Sequence, residues 1–230
     1  MKGRTMIKID RRSTAKTEAA KHYLQNAKVR NWDYNTREVN SALQEIFFGK
    51  CYICENKDVT SYQIEHLVSH RGDVELKYDW NNMFLSCAHC NNTKLGKYDQ
   101  ILDCSVEDVD EMIAFRKRGY FGTQEELEFV PLYTENEKVV NTVKLLKDVY
   151  YGISPQKEME AKIIRRKLRK ELSEFKEYIR EYSEAEDENE KEDLFYQIKK
   201  ELRPSSAFTA FKRWLIKDNH DFYPELATLI

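Results

Sequence analysis

Glycine and proline are scarce in this 230-residue chain, at seven and four residues. So few turn-forming residues argue against an all-β sandwich or a low-complexity chain. Long apolar runs are also missing, and no stretch approaches the roughly 20 residues of a membrane-spanning helix. The opening segment, Met1 to Lys16, alternates charge with single apolar residues. It has no apolar h-region, which predicts neither a secretory leader nor an anchor, and a cytoplasmic protein with reduced thiols is expected. Neither sign of charge dominates: the formal net charge is −2, so the chain is not polybasic as a whole. Glycine-rich phosphate loops are absent as well, so any dependence on ATP must reside in another chain.

What is present, 41% hydrophobic and 34% charged residues, suits a soluble, helix-rich protein of one or two domains. Three stretches differ in composition. Residues 1–50 hold eleven Lys/Arg against five Asp/Glu, a local basic excess that fits a nucleic-acid face or a solvated helix surface equally well. Ala15 to Arg30 lacks helix breakers, and from Asn35 a second helix is predicted with Val39, Leu43, Ile46 and Phe47 at helical spacing. Gly49 supplies its stop. Residues 51–100 collect four of the five cysteines and three of the five histidines. Within them, Val59 to Val68 has the β-branched and aromatic content of a strand. Residues 101–230 read as mostly helical. Ile164, Leu168, Leu172, Phe175 and Ile179 form one stripe, and Leu194, Ile198 and Leu202 another. Between them Ser183 to Asp193, with seven acidic residues, reads as a solvated connection. Pro204-Ser205-Ser206 breaks the chain before a last helix, Ala207 to Lys217.

Cys51-Tyr-Ile-Cys54 and Cys87-Ala-His-Cys90 are two Cys-x-x-Cys knuckles. A two-residue spacer lets both thiolates of a knuckle face one ion, and two knuckles complete a tetrahedral structural zinc site. Disulfides do not suit a reducing compartment, and redox chemistry does not explain a matched pair. Cys104 stands apart and reads as an ordinary small core residue. Thirty-two residues, Glu55 to Ser86, separate the knuckles, more than the usual 15–20. An element is therefore inserted between them, with zinc closing its base.

That insert carries Ile64-Glu65-His66 and Trp80-Asn81-Asn82-Met83, and Cys90 runs straight into Asn91-Asn92-Thr93-Lys94. In this order the features resemble the HNH, or ββα-metal, endonuclease family over roughly Cys51 to Lys94. The resemblance implies an α+β fold, predominantly helical, with a small ββα core beside the zinc and helical flanks on both sides. It implies His66 as general base, a role that a near-neutral imidazole suits. Glu65 and Asn91 would hold Mg²⁺ or Mn²⁺ through oxygen. Asn82 would hold the intervening loop and orient the base, and Lys94, one turn after Asn91, would contact a phosphate of DNA. Asn91 stands where many members have His, which makes this an HNN variant. The paired asparagines leave Asn81 and Asn92 as alternatives to Asn82 and Asn91. Neighbours on an ideal strand point to opposite faces, so bringing Glu65 and His66 to one phosphate requires a distorted strand or a shaped loop. His70 reads as a loop residue, His89 as solvent-facing or a spare ligand, and Trp80 as core or a wall of the site.

The flanks add an Ile7-Lys8-Ile9 segment and the tail Ser206-Ala-Phe-Thr-Ala-Phe-Lys-Arg-Trp214. With the HNH unit, this layout is similar to the PtuB family, nuclease subunits of Septu anti-phage systems, which work with an ABC-type ATPase, PtuA. On that resemblance the C-terminal helices would dock the ATPase. Phe208, Phe211, Trp214 and Leu215, at three- and four-residue steps, would form either an aromatic docking face or an internal core. The basic run Arg165 to Lys170 would face DNA, an acidic partner or solvent. Two other functions fit the same residues: a non-catalytic zinc-braced adaptor and an RNA- or tRNA-cleaving toxin.

Overall fold

The computed structural model describes residues 8–57, 59–119 and 125–230; Ile7 of the N-terminal segment lies outside them. The fold is α+β and predominantly helical. Helix α1 spans Ala15–Arg30 and α2 spans Arg37–Ile46. Thr14 and Thr17 cap α1 reciprocally, satisfying amides that a helix start leaves unpaired. After α2 the chain turns through Gly49, whose φ of 62° suits a residue without Cβ and whose N–H closes back on the Gln44 carbonyl.

The insert between the knuckles holds strand β1 (Tyr62–His66), helix α3 (Val74–Tyr78) and strand β2 (Met83–Cys87). Helix α4 (Ala88–Lys94) follows directly, with Cys87 as its N-cap. β1 and β2 pair antiparallel, Tyr62 opposite Cys87 and His66 opposite Met83, and α4 packs against both. All five residues of β2 are buried, because α2 covers the face that α4 leaves. Arg11 straps the start of β2, donating to the carbonyls of Trp80 and Met83, with its guanidinium 4.4 Å from the Phe84 ring centre. Trp80 and Cys104 are buried in the same core as α1 and α2.

The C-terminal region differs from expectation in two places. Short helix α5 (Val109–Met112) leads into a hairpin of β3 (Ile113–Arg118) and β4 (Glu126–Pro131), which the mostly helical reading of this region did not place. Its signal was the two-residue alternation of Glu126, Leu127, Glu128 and Phe129, with Leu127 and Phe129 buried. Helices α6 (Glu137–Tyr151), α7 (Pro155–Glu184) and α8 (Glu188–Glu201) follow. The acidic connection shrinks to three residues, because Asp187 accepts from the amides of Asn189 and Glu190 and so starts α8 early. The stripe from Ile164 to Ile179 is buried along α7.

The last helices are α9 (Thr209–Lys217) and α10 (Pro224–Ala227). Phe208, Phe211 and Trp214 are buried, and they share one core with Phe115, Phe129, Tyr150 and the four knuckle cysteines. Of the two readings of these steps, the internal core holds for these three rings, which are spent on the fold. The same core crosses the expected boundary at residue 100, so the zinc-braced segment has no separate interior. Among the described residues no helix is long and apolar enough to cross a membrane.

Candidate functional site

The four cysteines come together as their spacing predicts. Cys51 and Cys54 lie on the turn after α2, Cys87 ends β2, and Cys90 is in the first turn of α4. Their sulfurs all lie within 4.8 Å of one another, and none is in a disulfide. A tetrahedral ion with metal–sulfur bonds of about 2.3 Å sets sulfurs about 3.8 Å apart; Cys54 Sγ and Cys87 Sγ are 3.9 Å apart. Protons alone serve this cluster poorly. Burial raises the Cys51 thiol, but hydrogen bonds from the other three outweigh it and bring it well below its ordinary value. Cys54 and Cys90 are pushed well above theirs. The Cys51 thiolate forms easily while those of Cys54 and Cys90 do not, which is the imbalance a dication corrects. The group fits a zinc site. His89 is neither a ligand nor solvent-facing: its ring bonds Glu160 through Nδ1 at 2.6 Å and the Val149 carbonyl through Nε2 at 2.8 Å.

The ladder of β1 and β2 is regular through its last pair, so Glu65 and His66 take opposite faces at the end of β1. No strand distortion brings them to one side. Glu65 meets α4. Lys94, with no solvent exposure, donates to Glu65 Oε1 at 2.8 Å and to the His66 carbonyl at 2.9 Å. Burial pushes the Glu65 carboxyl upward against the pull of Lys94. Lys94 is thus turned inward, where a phosphate-facing ammonium was expected. Its stem passes through the core of the unit, and the nearest unmet charge is the buried carboxylate. Two residues before Glu65, on the same face of β1, Gln63 Oε1 accepts from Asn91 Nδ2 at 2.6 Å. That orientation leaves Asn91 Oδ1 and Glu65 Oε2 with no donor among the described residues, two oxygens suited to a hard cation. Asn92, by contrast, is exposed.

His66 occupies the other face. Its Nε2 lies 3.0 Å from the Lys77 carbonyl, which can only accept, so the proton is on Nε2 and Nδ1 carries the lone pair. Burial lowers the affinity of the ring for a second proton, which keeps it neutral, with its lone pair available, near pH 7. Tyr34 sets an edge against the imidazole, with centres 5.0 Å apart at 85°. The His70 ring also lies 5.0 Å from it, at 71°. Both were missed by motif reasoning: Tyr34 lies between α1 and α2, and His70 carries no spacing signal. The amide of Gly72 donates to His70 Nδ1, which leaves Nε2 as that ring's proton-bearing atom. Lys77 donates to Asn31, so the end of the basic N-terminal helix α1 does border the His66 face.

Asn82 is buried and ties the loop after β1. Its Oδ1 accepts from the Val68 amide at 2.8 Å, and its Nδ2 donates to the carbonyls of Val68 and Leu76 at 2.9 and 3.0 Å. Asn81 is exposed instead. Three bonds from one amide fix where the chain runs after His66, and with it where the ring sits.

Comparison with known proteins agrees with this geometry. Residues 51–96 match the family model described as HNH endonuclease, which bears out the resemblance for that segment. Over 80 residues the chain is 32% identical to the Septu protein PtuB of Bacillus mycoides (strain KBAB4), covering 28% of this chain. The matched part spans 27% of that relative's length. No solved structure matches.

Proposed function

We propose that the chain is a metal-dependent endonuclease that hydrolyses phosphodiester bonds in DNA, and that it acts as the nuclease subunit of a Septu-like anti-phage complex. One observation carries the chemistry: a neutral histidine with a free Nδ1 and a carboxylate with a free oxygen terminate the same strand. The scissile phosphate would lie off that end, where the two faces meet, so both side chains reach it without distorting the strand. His66 Nδ1 takes the proton of the attacking water. Glu65 Oε2 and Asn91 Oδ1 would hold Mg²⁺ or Mn²⁺, whose chemistry is to polarise the phosphate and offset charge on the leaving oxygen. Lys94 opposes the upward push of burial on the Glu65 carboxyl and fixes the His66 carbonyl, making it a positioning residue. Asn82 holds the loop that seats His66.

The likeness to a Septu protein supports the defence role and, with it, regulation by a PtuA-like ABC-type ATPase on a separate chain. Plasmid cleavage by the full chain in Mg²⁺ or Mn²⁺, alone and with the co-encoded ATPase, tests the reading. Wild type should nick or linearise the plasmid and EDTA should stop it. Folded, zinc-loaded His66→Ala should lose at least about 10²-fold in rate, the ordinary contribution of a general base. Equal cutting by His66→Ala, or none by wild type in any condition, overturns the reading, and cutting of RNA alone would move the substrate to RNA.

A further inference from the structure

A groove of about 620 Å³ runs between the turn after α4 and the outer face of α6. Its charge is unbalanced. Arg71, Lys97, Lys144 and Lys147 line it against two carboxylates, Asp99 and Asp148. Both carboxylates are already engaged, Asp99 by Arg71 at 2.9 Å and Asp148 by Lys97 at 3.0 Å. That leaves Lys144 and Lys147, exposed and one turn apart on α6, with no ion-pair partner among the described residues. In a chain of net charge −2, this is a local positive surplus that no ion pair among the described residues neutralises.

The groove also adjoins the end of β1. The Ser69 amide, three residues past His66, donates to Asp99 Oδ1 at 2.9 Å. Arg71 donates to the carbonyl of Gly96, two residues past Lys94. The same short bonds that set the loop after His66 therefore set the inner wall of the groove. Two exposed lysines hold a lone small anion weakly. A polyanion with a charge every few ångströms engages both together and releases its counterions. Among the described residues no aromatic side chain but Tyr98 lines the groove, and Tyr98 is buried with its hydroxyl on Asp148, so these residues offer bases no stacking platform.

We propose that this groove carries the sugar-phosphate backbone of duplex DNA beside the bond cut at the end of β1, without reading its sequence. The proposal rests on the nuclease reading of that site, and the test separates the two. Binding of a fluorescent 20-base-pair duplex is measured by anisotropy against salt, with the full zinc-loaded chain carrying His66→Ala so that nothing is cut. Adding Lys144→Glu with Lys147→Glu should weaken binding at least about 10-fold near 0.1 M salt. It should also reduce the slope of log K against log salt by about two. Lys199→Glu with Lys200→Glu on the exposed face of α8 changes net charge equally and should leave both quantities in place. Unchanged binding in the first pair, equal loss in the second, or no binding by the parent at low salt each overturns the groove. If wild type cuts nothing while the first pair alone loses binding, the groove stands and the nuclease reading falls. Cutting with binding indifferent to Lys144 and Lys147 gives the reverse.

Discussion

The Lys94 ammonium lies 2.8 Å from Glu65 Oε1 with no solvent exposure of the lysine side chain. It ties the last turn of helix α4 to the end of β1, joining the two elements that carry the proposed metal ligands. Removing one member of a buried pair strands the other charge, and the usual cost is about 3–5 kcal/mol. Lys94→Met should therefore unfold at markedly lower urea than wild type, both zinc-loaded. The penalty should shrink toward acidic pH, because burial already pushes Glu65 upward and a protonated carboxyl needs no partner. Adding Glu65→Gln to Lys94→Met should restore much of the stability while leaving the chain inactive. A Lys94→Met midpoint equal to wild type would show the pair to be energetically idle.

The loop tie at Asn82 gives a separable effect. Asn82→Asp keeps the size and the acceptor for the Val68 amide but turns the donor facing two carbonyls into a second acceptor. Loss of a group that orients another commonly costs about 10- to 100-fold in activity, and cleavage should fall by that much. Limited proteolysis should then find new cuts between residues 67 and 77. Wild-type cleavage with a wild-type digestion pattern would remove Asn82 from any role in seating His66.

Thiol reactivity reports on the four-cysteine cluster. Cys104 is buried, and burial raises its thiol to about 12, so it should resist alkylation in the folded protein. The knuckle thiols should be protected by the bound ion, giving essentially no iodoacetamide labelling at neutral pH. A strong chelator should release the ion, unfold the region and bring all five cysteines into reaction. Rapid labelling of Cys51, Cys54, Cys87 and Cys90 in the zinc-loaded protein, counted by mass spectrometry, would rule the shared site out.

A pH effect is expected far from the site. Burial raises the Glu201 carboxyl, but the hydrogen bonds from Lys212 and Ser206 outweigh it, so the group titrates below its ordinary value. A depressed carboxylate adds stability that is complete above its unfolded value, about 4.3, and that disappears as pH falls through the folded one. Glu201→Gln should cost about 1–3 kcal/mol at pH 7. The gap between its melting curve and that of wild type should close as the pH drops below roughly 4. A gap constant from pH 7 to pH 3 would mean that the ionised form matters little.

Which parts were legible in the sequence follows from the range of each signal. Cys-x-x-Cys spacing, the Glu65-His66 dipeptide and the amphipathic stripe of α7 are local patterns, and each carries its meaning within a few residues. The β3–β4 hairpin is local too, but its charged strands resemble exposed helix until the two-residue alternation is counted. Other features depend on distant parts of the chain. Nothing near Lys94 says that its ammonium turns inward, because the deciding charge is 29 residues away in sequence. The aromatic steps from Phe208 to Trp214 suit a partner groove or an internal core alike, and only the arrival of Phe115, Phe129 and Tyr150 decides between them. His89 follows the same rule, since Glu160 and Val149 claim both its nitrogens from across the molecule.

The outer wall of the first knuckle comes from far downstream. Tyr150 donates to the Cys54 carbonyl at 2.9 Å. Glu55 accepts from the amides of Phe208 and Ala210 at the start of α9, and Lys50 beside it reaches the Ser206 carbonyl. On the ribosome, Cys90 completes the cluster roughly 120 residues before that wall exists, an interval on the order of ten seconds. During that time the metal ion and a few backbone bonds, such as that of the Tyr52 amide to the Leu85 carbonyl, must hold the turn without its full outer wall. Zinc supply should therefore govern how much of the protein matures as well as how stable it is once made, and chains starved of the ion early in synthesis would meet α9 with no knuckle for it to close upon.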